Sequence, residues 1–139
     1  MLERMLRRSN PSGVPAPVAP YHHVVTVPAG TALAFISGQV GTYTDGRPTD
    51  PDATVQAAQA FANLGAIVAE LGATPADIVK FTTLVVGAEG LAGFRAARGP
   101  AFADWYPDGD VPASTLMMVA GLAAPEFLVE IEAVVALPR

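Results

Sequence analysis

The chain of 139 residues contains no cysteine, which excludes disulfides, thiol nucleophiles and cysteine-ligated zinc or iron–sulfur sites. Charge is scarce too: 15% of the residues are Asp, Glu, Lys or Arg, against 51% apolar, among them 26 alanines. So few charges cannot cover the surface, and association with further copies of the chain is the natural outlet. Long hydrophobic runs are missing as well. No stretch approaches the ~18 residues of a membrane span, and Met1 to Arg8 lacks the ~7–15-residue apolar core of a secretory signal. The expectation is a soluble, cytoplasmic protein.

The charges present are unevenly placed. Arg4, Arg7 and Arg8 against Glu3 make the first eight residues +2, leaving −7 for the remainder of a chain whose formal total is −5. An acidic body argues against a nucleic-acid partner. The length suits one domain around one core.

Pro11, Pro15, Pro17 and Pro20 predict an extended or polyproline-like arm, and place an N-terminal arm over residues 1–20 ahead of a domain over 21–139. The Pro-x-x-Pro spacing at Pro17 and Pro20 needs no partner domain, because a rigid lead-in to the first strand explains it. Tyr21 to Val27 and Thr31 to Val40 are β-branched and apolar around Pro28-Ala29-Gly30, which predicts a hairpin. Thr42 to Pro51 is a polar loop turning at Asp45-Gly46. Ala57, Phe61, Leu64, Val68 and Leu71 form one face of a helix over Thr54 to Leu71. Asp52 or Thr54 would cap its start and Gly72 its end.

Ile78 to Val86 is a third strand. Leu91, Phe94, Arg98, Phe102 and Trp105 mark a second helix, which either kinks at Gly99-Pro100 or restarts there. After a loop from Pro107 to Pro112, two further strands close the chain. This order predicts an α+β fold with two helices on one face of a mixed sheet. In the last strand Phe127, Val129, Ile131, Ala133 and Val135 alternate with Leu128, Glu130, Glu132, Val134 and Ala136. Both faces carry apolar residues, so something must bury the second one.

Pro112-Ala113-Ser114-Thr115-Leu116-Met117-Met118-Val119, followed by Phe127-Leu128-Val129-Glu130-Ile131-Glu132-Ala133-Val134-Val135, resembles the signature of the RidA/YjgF family of imine and enamine deaminases. Pro20-Tyr21, Ile36-Ser37-Gly38-Gln39-Val40 and Asp77-Ile78-Val79-Lys80 extend the resemblance across the domain. It implies a chorismate-mutase-like homotrimer with small-molecule clefts between subunits, and no metal or cofactor. It also implies a catalytic Glu130 positioning the attacking water. Ligand contacts would come from Tyr21, Ser37, Gly38, Ser114, Thr115 and the N–H of Leu116. One departure stands out: family members that hydrolyse 2-imino acids have arginine where this chain has Ser114. A neutral hydroxyl cannot replace the paired, charge-assisted donors that grip a carboxylate. Arg98 on the second helix and Arg47 on the polar loop are the candidates to compensate. The alternative is a non-catalytic member that binds a metabolite or regulates a partner protein.

Other candidates weigh less. Glu130 and Glu132 share a strand face about 7 Å apart, but no histidine or third carboxylate is tied to them. His22-His23 point to opposite faces and cannot readily share one ion. Ser37, Ser114 and Thr115 lack a nucleophile-elbow pattern. Met117-Met118 suits a core or cleft wall. Chorismate-mutase chemistry needs several cations in the cleft, and the chain has eight basic residues.

Overall fold

The computed structural model describes residues 6–138; residues 1–5 of the arm lie outside them. A four-stranded sheet is built from β3 (Leu33–Gln39), β4 (Ile78–Val86), β5 (Ala113–Val119) and β6 (Val129–Ala136), in the order β3-β6-β4-β5. β6 runs antiparallel to both neighbours, whereas β4 and β5 are parallel. Parallel neighbours need a crossover, here helix α2 (Gly87–Trp105). Helix α1 (Ala53–Glu70) lies mainly over β6 and β3, and α2 packs beside it over β4. The sheet is mixed and both helices share one face, as the element order implies.

Strand alternation shows which face that is. Phe81, Thr83 and Val85 of β4 and Val129, Ile131, Ala133 and Val135 of β6 are all buried, and meet Phe61, Leu64 and Val68 of α1 in one core. The other face is open. Phe35 there is 76% exposed, with Leu33 and Met117 also exposed.

Helix α1 begins as its sequence predicts. Asp52 is the cap, its side chain accepting from the N–H groups of Thr54 and Val55, which satisfies two donors that the first turn leaves free. At the other end Gly72 takes φ +73°, donating to Ala69 O while Ala73 donates to Val68 O; glycine adopts this left-handed turn without penalty. Leu71 is exposed, not part of the buried face, because it sits at the C-cap.

Helix α2 continues through Gly99-Pro100 to Trp105 without restarting. Both residues are exposed, so the hydrogen bond that proline cannot donate is lost on the solvent side.

The hairpin expected between Tyr21 to Val27 and Thr31 to Val40 does not form. β1 (Arg7–Ser9) pairs with β2 (Val24–Thr26) in a separate two-stranded ribbon, and β3 pairs with β6. The turn itself is present, with Thr31 N–H donating to Pro28 O and Gly30 at φ +78°. Its strands diverge because the long apolar β6 offers β3 far more burial than a three-residue strand can. The proline-containing segment after β1 runs without strand pairing until β2.

Candidate functional site

The residues singled out by sequence fall on the two faces of the sheet. On the helix side, a cavity of about 190 Å³ opens between α2, the strands β4 and β5, and the arm. Phe61, Phe81, Phe94 and Phe102 line its apolar walls. They belong to one aromatic cluster: Phe61 stacks on Phe94 at 5.9 Å and meets Phe102 edge-on at 6.1 Å, arrangements that aromatic quadrupoles favour. Ser114 and Leu116 reach the cavity from β5, Thr83 from β4, Pro20 from the arm and Tyr21 from the segment that follows it.

Arg95 and Arg98 of α2 also line it. Arg98 lies over the Phe94 ring at 5.2 Å, and neither arginine has a carboxylate partner among the described residues. Burial, reinforced by the neighbouring charge of Arg95, pulls the Arg98 guanidinium below its ordinary pKa; arginine nevertheless keeps its charge. Two cations without counter-ions beside a cavity attract an anion. Arg47 does not join them. It is paired with Asp45 at 2.6 Å and covers the Tyr43 ring on the exposed loop, and the two hydrogen bonds from Arg47 hold the Asp45 carboxyl below its usual value.

Thr115 is separated from Ser114 and Leu116. It is exposed opposite Thr82, because successive strand residues point to opposite faces. Glu130 lies on that open side too. The β3–β6 register slips by one residue between Ile36 and Gln39, a bulge that contains Ser37 and Gly38, and a Cβ at residue 38 would lie 2.6 Å from Glu130 Cδ. Bulges commonly re-aim side chains in this way. No group among the described residues hydrogen-bonds or pairs with the Glu130 carboxylate. Its strand is anchored from a distance: Gln56 of α1 donates to Glu126 O at 2.9 Å and accepts from Leu128 N–H at 2.8 Å.

Within one chain, therefore, Glu130 and Ser114 do not meet. β4 separates their strands, and the register places Ser114 level with Ala133, by way of Phe81. The offset is about 10 Å across and about 10 Å along the sheet, and the two side chains leave opposite faces. His22 and His23 also have separate partners, Val111 O at 2.6 Å and Pro15 O at 2.7 Å, and so tie down the arm that closes the cavity. A larger cavity of about 690 Å³ beside Arg8, Asp77 and Tyr106 contains none of these site residues.

Sequence reasoning missed three contributors, Arg95, Thr83 and Gln56. Arg95 lies one helical turn from Arg98 and could have been found by that spacing. Thr83 reads as an ordinary strand residue, and the partners of Gln56 are 70 and 72 positions away. Among the described residues, no helix is long and apolar enough to cross a membrane.

A mixed sheet with two helices on one face is an α+β fold. The chain belongs to the RidA/YjgF family: the endoribonuclease L-PSP family model matches residues 12–137. The RutC family protein slr0709 of Synechocystis is 31% identical over 126 residues, 89% of this chain and 91% of the relative. The crystal structure of YyfB, a Rid family protein of unknown function from Yersinia pestis, is 34% identical. It superposes with a TM-score of 0.82 over 95% of this chain and 98% of that one. Yeast Mmf1, at 22% identity and a TM-score of 0.66 over 93% of this chain and 92% of its own, shares the fold.

Proposed function

We propose that this protein binds a small anionic metabolite in clefts between copies of itself, assembled as a homotrimer, and hydrolyses a C=N bond in a substrate shifted from the 2-imino acids. The observation that carries this reading is the separation of Glu130 from the cavity of Ser114 and Arg98 on opposite faces of one sheet. In this reading a second copy brings its Glu130 to that cavity. The exposed apolar face around Phe35 and Met117 supplies a surface for such packing.

In this reading Arg98, not residue 114, holds the ligand's negative charge, and Ser114 contributes a neutral hydrogen bond. Glu130 holds the water. As its oxygen bonds to the imine carbon, one water proton passes through the carboxylate to nitrogen and gives a carbinolamine; the hydroxyl proton then follows the same route to nitrogen as the C–N bond breaks, so that C=N and water become C=O and ammonia. RNA cleavage, which the family description names, suits this chain less well, because its net charge is −5 and both histidines are engaged in holding the arm.

Ammonia release from 2-aminoacrylate generated in situ tests the proposal. The wild type is expected to exceed the uncatalysed rate, Glu130→Gln to lose about 100-fold or more, and Arg98→Ala to raise KM. Full turnover by Glu130→Gln would overturn the mechanism. Silence from the wild type with a gain in Ser114→Arg would mark a cleft redirected to another substrate; silence from both, with carboxylate binding retained, would identify a non-catalytic binder.

A further inference from the structure

Thr83 is 1% exposed, and its Oγ1 has no hydrogen-bond partner among the described residues. The side chains of its cross-strand neighbours, Leu116 and Ile131, offer no acceptor, and four phenyl rings form the apolar part of the cavity wall. An unsatisfied buried hydroxyl is destabilising. Packing alone does not call for one. Valine has nearly the same shape, and Val85, Val129 and Val135 fill buried positions on this same face. Ser114, on the adjacent strand and lining the same cavity, likewise has no side-chain partner among the described residues.

We infer that Thr83 determines specificity: the cavity accepts a ring-sized apolar body whose buried end carries a hydroxyl or carbonyl oxygen, and disfavours the hydrocarbon of the same shape. The size follows from the volume. A cavity of roughly 150 Å³ lined by apolar groups holds benzene, and this one measures about 190 Å³, leaving room for one or two further atoms. The walls of Phe61, Phe81, Phe94 and Phe102 suit a flat guest, while Arg95 and Arg98 leave the other end of the ligand free to be anionic. The oxygen at the buried end would meet the orphaned hydroxyl, and a hydrocarbon would leave it unpaired.

The inference rests on reading this cavity as the ligand site, so its test uses probes that involve neither Arg98 nor Glu130. Phenol and toluene match in shape, carry no carboxylate and have no C=N bond. Their Kd values are measured by NMR chemical-shift titration of the wild type, Thr83→Val and Thr83→Ser. Thr83→Val is expected to shift the phenol-to-toluene affinity ratio towards toluene by about fivefold to tenfold, the worth of one net hydrogen bond. Thr83→Ser is expected to keep the wild-type ratio. Phenol should also shift the Thr83 signals of the wild type, a readout that does not depend on any variant folding. An unchanged ratio in Thr83→Val, shifts confined to other regions, or failure of the wild type to bind either probe would each overturn the inference. Loss of imine hydrolysis in Glu130→Gln would leave it standing.

Discussion

The Glu130 side chain lies across Gly38, filling the space that a β-carbon on residue 38 would need. The colliding group is a flexible side chain, so Gly38→Ala should displace the carboxylate before it disrupts the strand. We expect a loss of about 1 kcal/mol in the wild-type background. With Glu130→Ala already in place the sign should reverse, giving a gain of about 0.5 kcal/mol as glycine's chain entropy is removed. Urea melts of the four proteins in this double-mutant cycle check both values.

Tyr106 gives a prediction in pH. Burial is the main reason its phenol is pushed well above the ordinary tyrosine range, against a smaller opposing effect of Arg8, and its hydroxyl donates to Pro75 O at 3.0 Å. The folded state therefore keeps a proton that the unfolded chain releases near pH ~10. Stability should be intact below that pH and fall as pH rises above it. Tyr106→Phe should lower stability at pH 7 by about 1 kcal/mol and flatten the alkaline decline, as measured by denaturant midpoints between pH 8 and 11.

If Arg98 has taken over the role of an arginine at position 114, the charge can be moved back. Arg98→Ala should weaken binding of a small carboxylate such as pyruvate by about tenfold. Arg98→Ala combined with Ser114→Arg should recover much of that loss. Calorimetric titration of pyruvate into the three proteins reads the outcome; equal affinities throughout would remove Arg98 from the site.

Phe35 tests the assembly. A side chain 76% exposed on an apolar face is costly for a lone chain and favourable at an interface. Sedimentation of the wild type should give three times the mass of one chain. Phe35→Asp should shift the population towards single chains, because a carboxylate would be buried without a partner. A wild type already at the mass of one chain would count against clefts shared between copies.

Local chemistry was legible in the sequence. Asp52, Gly72 and the spacing of Ala57, Phe61, Leu64 and Val68 define α1 because caps and helical faces depend on neighbours within a few residues. Partner choice was not. Pro28-Ala29-Gly30 signals a turn correctly, but whether β2 or β6 lies beside β3 depends on burial elsewhere in the chain. The site shows the same division. Glu130 stands out only through the family signature, and Arg98 and Arg47 are indistinguishable until one lines a cavity and the other pairs with Asp45. Thr83 carries no local mark at all, since a threonine in a strand is ordinary until its hydroxyl is found without a partner.

The pairing of β3 with β6 joins Leu33 to Ala136. During translation, β3 emerges about a hundred residues before its partner exists, and β4 emerges well before the same strand can reach it. The helices can form as they leave the ribosome, but the sheet cannot close until β6 arrives between β3 and β4. A nascent chain stalled before β6 would expose two unpaired strand edges at once, making it a substrate for chaperones and proteases.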